Sequence, residues 1–86
     1  MFVYGTAPIN MFIGILVGGC FCDSTVAAPP SGLWSVNIDA DDSCVPQEGE
    51  KLSFTLNGAT AKASKSPSYA PGGNSGEVKL TVKSGS

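Results

Sequence analysis

Eighty-six residues, 42 % apolar and only 14 % charged, make one small domain whose modest core gains from a covalent staple. The chain has no His and no Arg, so it lacks the commonest general base and the best phosphate fork. The net charge of −2 hides a split: residues 1–50 hold six acids and no base, and residues 51–86 hold five Lys and only Glu77, without the basic patch that nucleic acid requires.

Phe2, Val3 and Tyr4, with Gly5 behind them, predict a short opening strand, and Ala7-Pro8-Ile9-Asn10 a connection. Residues 11–17, MFIGILV, form a continuous apolar run. It is too short to span a bilayer, which takes about 20 apolar residues. Two readings compete for residues 1–28. The small residues at 24–28 look like a signal-peptide cleavage region, and Val17-Gly18-Gly19-Cys20 faintly resembles a lipoprotein box. Against that, the start has no Lys or Arg, and Pro8 and Asn10 interrupt it. The favoured reading is a central strand with Ile13, Ile15 and Val17 on one side and Phe12, Gly14 and Leu16 on the other. If the first set faces the core, Phe12 and Leu16 face outward with Met11 and Phe2 as an apolar patch. They are the predicted interface residues. The short opening strand predicts an unpaired edge open to another chain. The charge split favours head-to-tail contact.

Gly18-Gly19 is a turn, and residues 20–25 read as a short strand with Cys20 and Cys22 on one face and Phe21 on the other. Residues 27–32, AAPPSG, form a loop, since Pro29-Pro30 cannot lie in a central strand. Residues 33–38 alternate, with Trp34, Val36 and Ile38 inward. Residues 39–50 form a long polar loop. The clearest stretch is 49–58, GEKLSFTLNG, where Leu52, Phe54 and Leu56 alternate with Lys51, Ser53, Thr55 and Asn57. Asn57-Gly58 supplies a tight turn, and Ala59, Ala61 and Ala63 alternate after it, so a hairpin is expected. Phe54 is expected beside Trp34 and Leu80. Residues 66–76 form a loop with Tyr69 its only large side chain. Residues 77–83 are the last strand, with Val78, Leu80 and Val82 inward, and Ser84-Gly85-Ser86 reads as a linker. About seven short strands and no helix-period segment predict an all-β fold, a single small antiparallel β-sandwich over residues 1–83.

Cys20-x-Cys22 has neither the C-x-x-C spacing nor a His to complete a zinc site. Neighbours at i and i+2 of a strand sit near the upper limit for a bridge, so Cys44 pairs with one of the two. Closing a loop of that size contributes about 3 kcal/mol in the chain-entropy model and implies an oxidising compartment. Asp39, Asp41 and Asp42, with Glu48 and Glu50, are candidate calcium ligands but do not follow the EF-hand spacing. Turn formation explains Asp41 and Asp42 as well. Paired carboxylates for glycoside hydrolysis would need a cleft that so short a chain hardly provides. No His is present to activate a Ser nucleophile. No catalytic residue and no cofactor are therefore expected. Trp34 falls on an inward face and reads as core, whereas Tyr69 in its Pro/Gly loop is the expected contact residue for a ligand.

Several features then occur in a familiar order. Gly18-Gly19 leads into Cys22 and Ser24-Thr25, and Ser31-Gly32 opens Leu33-Trp34-Ser35-Val36. Ala40-Asp41-Asp42 precedes Cys44, and Glu48-Gly49 precedes Leu52 and Phe54. Asn57-Gly58 stands ahead of Ala61, and Pro71-Gly72-Gly73 ahead of Val78, Leu80 and Val82. Over residues 8–83 this order resembles small immunoglobulin-like or transthyretin-like β-sandwich modules of bacterial and archaeal secreted or surface proteins. The chain departs from that pattern at the front, where residues 2–7 replace a fuller first strand. The resemblance implies a disulfide between Cys22 and Cys44, with Cys20 left free. It implies a non-catalytic structural or assembly module that contacts itself or neighbouring domains, without nucleic acid or a membrane span. The alternative is an extracellular module that binds a glycan or a protein through its loops.

Overall fold

A computed structural model describes residues 1–39 and 44–82, and so leaves Asp41, Asp42 and the linker expected at 84–86 outside the described residues. The described residues contain no helix and seven strands: β1 (Phe2–Thr6), β2 (Phe12–Val17), β3 (Cys20–Val26), β4 (Leu33–Asn37), β5 (Leu52–Leu56), β6 (Ala59–Ala63) and β7 (Asn74–Val82). Two hairpins follow directly from turn chemistry. Gly18 and Gly19 have φ of 59° and 83° between β2 and β3, and Asn57 and Gly58 have φ of 50° and 87° between β5 and β6. Consecutive positive φ values match the twist of a two-residue hairpin. Asn57 also ties its turn to the head of β2: its Oδ1 accepts from Phe12 N at 2.8 Å, and its own N–H donates to Phe12 O at 2.8 Å.

All seven strands belong to one sheet, in the order β3-β2-β5-β6-β7-β1-β4, not to the two layers expected. The sheet is also mixed, because β1 runs parallel to β7 while the other pairs are antiparallel. The physical reason lies in β6. Its first residues, Ala59 and Thr60, pair with Leu56 and Thr55 of β5, and its later ones, Ala61, Lys62 and Ala63, pair with β7. A strand that changes partner along its length turns a corner. The sheet therefore curls until it is nearly a barrel, and its end strands β3 and β4 approach each other.

The opening strand is not an edge. β1 pairs with β4 on one side, Val3 with Val36 and Gly5 with Trp34, and with β7 on the other, Gly5 with Val78. Gly5 allows this closeness: a Cβ there would overlap the backbone O, C and N of Val78. The true edges are β3 and β4.

The predicted inward sets line one core. Ile13, Ile15, Val17, Trp34, Val36, Ile38, Leu52, Phe54, Leu56, Val78 and Leu80 are all buried there. Phe54 meets Trp34, as the alternation implies. Val82 departs from its alternation. It sits at the open end of β7 opposite Ala61 and is 61 % exposed. Tyr69 departs in the other sense and is only 2 % exposed. Its loop runs back along the head of β5: Leu52 N donates to Pro67 O at 2.8 Å, Tyr69 N to Glu50 O at 2.7 Å, and Gly49 N to Tyr69 O at 2.9 Å. Pinned this way, the ring joins the core instead of projecting to solvent, so Tyr69 is not the contact residue that its loop composition predicts.

Candidate functional site

The seam between β3 and β4 is where the barrel stays open. At one end the chain crosses it through the turn that closes on the Ala28–Leu33 bridge. At the other end the disulfide between Cys22 in β3 and Cys44 crosses it, with Cα atoms 4.9 Å apart. Thus a covalent bond holds the end of the seam where a ladder of hydrogen bonds would otherwise run. Cys20 is free and exposed.

The outer wall beside this seam is apolar. Phe12 of β2 is 56 % exposed and Leu16 is half-buried, so the two predicted interface residues do face outward. Paired residues of an antiparallel ladder share a face. Phe12 pairs with Val26, and Leu16 pairs with Phe21, which is itself 56 % exposed. Between them lies Gly14, over which the Phe21 ring reaches: a Cβ on Gly14 would come within 3.2 Å of Phe21 Cε2. Simple alternation puts Phe21 and Val26 on opposite faces, because five residues separate them. A β-bulge where Ile15 pairs with Asp23 and Leu16 with Phe21 inserts Cys22 as an extra residue and restores them to one face. This is the reason the periodicity of residues 20–25 conceals Phe21 and Val26 as surface partners of Phe12.

Across the seam the wall continues onto β4 and β1. Leu33 is 56 % and Phe2 43 % exposed. Phe2 stacks on Tyr4 with ring centroids 5.4 Å apart. Phe2, Tyr4, Leu33 and Val26 bound a hollow of about 450 Å³, with Gly5, Trp34 and Ser35 also against it. The charge pattern here is unusual. In the strands β1, β2, β3 and β4 the only charged residue is Asp23. A typical domain surface carries charges of both signs throughout, whereas protein interface centres are depleted of them.

The remaining candidates lie elsewhere. Asp39 and Glu48 are exposed, and Glu50 is half-buried with its Oε1 accepting from Gln47 N at 2.8 Å, a turn contact. Among the described residues no group of three or more His, Cys, Asp or Glu converges on a common metal position. Trp34 is buried, and its indole Nε1 has no hydrogen-bond partner among the described residues. The described residues include no helix long and apolar enough to cross a membrane.

Compared with protein-family models, with curated proteins and with solved structures, the chain finds no match in any of the three.

Proposed function

We propose that this chain is a non-catalytic assembly module of a secreted or cell-surface protein, and that it associates through the outer face of β2 and β3. The observation that carries this is the uncharged wall on which Phe12 and Phe21 stand exposed. Large apolar side chains of this kind lose their contact with water only when another surface covers them. The disulfide fits an oxidising compartment. The surface setting comes from the immunoglobulin-like or transthyretin-like modules that the sequence resembles, although the seven strands here form one mixed sheet and not two layers. The alternative, a module that binds glycan or protein through its loops, loses its expected contact residue because Tyr69 is buried.

The test is light scattering at several concentrations on the parent and on the double variant Phe12→Ser with Leu16→Ser. The parent should exceed 8.7 kDa, and the double variant should fall to that mass while keeping its β-sheet circular dichroism. A parent that stays at the monomer mass throughout removes the association reading.

A further inference from the structure

Resting on that reading, we infer that the partner is a second copy of this chain, and that the pair is closed by a two-fold axis, with Phe12 of each copy entering the hollow of the other and Phe21 covered on the same face. Three observations lead there. The first is adjacency. Phe12 lies opposite Val26 in the β2–β3 ladder, and Val26 is also a wall of the hollow. The projecting Phe12 ring and the recess therefore lie side by side. A copy that offers its ring to a partner's recess across a two-fold axis presents its own recess to the partner's ring. An open stack requires the complementary patches on different sides of the molecule. The predicted head-to-tail contact between charged halves would use a different surface, since Lys62 and Lys79 stand on β6 and β7, outside this face.

The second observation is size. Phe12 and Phe21 are each 56 % exposed, Phe2 43 %, Leu33 56 % and Val26 45 %. With about 200 Å² for an aromatic side chain and somewhat less for the aliphatic ones, these residues present roughly 500 Å² of apolar surface. A standard interface takes about 800 Å² from each partner, and about 65 % of a homodimer interface is apolar. The two figures agree. The hollow, about 450 Å³, is large enough for an aromatic side chain.

The third is the absence of charge. A face that meets its own image places like charges near one another around the axis. In the four strands that carry this face Asp23 is the only charged residue, and it pairs with the inward-facing Ile15, not with Phe12 or Leu16. Self-contact therefore carries little repulsion and little desolvation of ions.

The experiment uses the full chain with Cys20→Ser, so that the exposed thiol forms no bridge between copies. Sedimentation and light scattering over a thousandfold range of concentration should show mass rising to twice 8.7 kDa and no further. Phe12→Lys alters the ring and Leu33→Glu alters the wall of the recess. Each should weaken association at least tenfold. Mixed in equal amounts, they should recover the doubled mass, because one contact of the mixed pair is native and the other joins Lys to Glu. The near-ultraviolet signal of Trp34 reports folding; if Leu33→Glu loses it, Phe2→Ser serves on the same wall. Mass that climbs past the doubled value, or a Leu33→Glu variant that associates as tightly as the parent, overturns the two-fold pair while leaving association through Phe12 standing. A monomeric parent sinks both.

Discussion

Trp34 of β4 and Phe54 of β5 meet with ring centroids 5.7 Å apart and planes tilted by 59°, although β6, β7 and β1 stand between their strands in the sheet order. The contact exists because the sheet curls back on itself. It joins the end strand β4 to β5 across the core, to which Cys44 of the disulfide also belongs. A tilted pair at this distance adds about 0.5–1.5 kcal/mol beyond the area it buries.

Phe54→Ala should therefore cost about 3–5 kcal/mol, as large aromatic truncations in a core do. That is a large share of the stability of a domain this small. Urea unfolding followed by circular dichroism measures it. A loss below about 1 kcal/mol would show that the ring is not the keystone that its 2 % exposure implies.

Trp34 predicts a contrast. Its buried Nε1 has no partner among the described residues, and an unsatisfied buried donor costs about 1–3 kcal/mol. Trp34→Phe keeps an aromatic ring against Phe54 and deletes that donor, so its lost packing is largely offset. The change in stability should stay within about 1 kcal/mol, whereas Trp34→Ala should cost about 3–5 kcal/mol. Thermal unfolding of the three proteins decides it. Equal losses from the Phe and Ala variants would mean that the indole N–H is satisfied in the folded protein.

The inward sets were legible because alternation is local. Ile13, Ile15 and Val17, Leu52, Phe54 and Leu56, and Val78 and Leu80 each follow a period of two, and each is buried. Two kinds of feature were not legible. The partner of a strand is a long-range property, so nothing in Phe2–Thr6 shows that β1 lies between β4 and β7, or that β6 turns the corner that makes one sheet of two expected layers. The bulge at Cys22 is the second kind, since it changes the parity of β3 by a single residue and moves Phe21 and Val26 to one face. The site was half visible for this reason: Phe12 and Leu16 come from regular β2, while Phe21, Val26 and Leu33 depend on register. Tyr69 was misplaced because its loop is held by backbone bonds to Gly49 and Glu50 that composition does not encode.

Gly5→Ala should be severe for a surface-neutral change of one methyl group. The added Cβ would meet backbone atoms of Val78, and a partner strand cannot yield as a flexible side-chain end does. β1 would have to separate from β7, which weakens the parallel ladder through Tyr4, Gly5 and Thr6. The expected cost is about 1–3 kcal/mol or more, the range for overpacking a close-fitted core. Gly19→Ala provides the comparison for loss of a glycine with no steric neighbour, as nothing lies within 4 Å of a Cβ there and only its φ of 83° is unfavourable. If Gly5→Ala melts within about a degree of the parent, the close approach of β1 and β7 is wrong.

Loss of the disulfide should act on the seam first. Cys22 and Cys44 are 22 residues apart, so their removal costs about 3 kcal/mol through the unfolded state. The folded state responds unevenly. β3 keeps its ladder to β2, and β4 keeps its ladder to β1, but both are edges once the covalent tie across them is gone. Edge elements with few supporting contacts open at lower free energy than central ones. The double variant Cys22→Ala with Cys44→Ala, which leaves no unpaired half of the bridge, should gain hydrogen exchange most in β3 and β4. β2 and β5, paired to each other in the middle of the order, should keep their protection relative to global unfolding. In the parent, one thiol, that of exposed Cys20, should react with a thiol reagent under native conditions. Three reactive thiols would refute the bridge itself. Exchange that rises equally in all strands would show that the bond stabilises only through the unfolded chain and does not hold the seam.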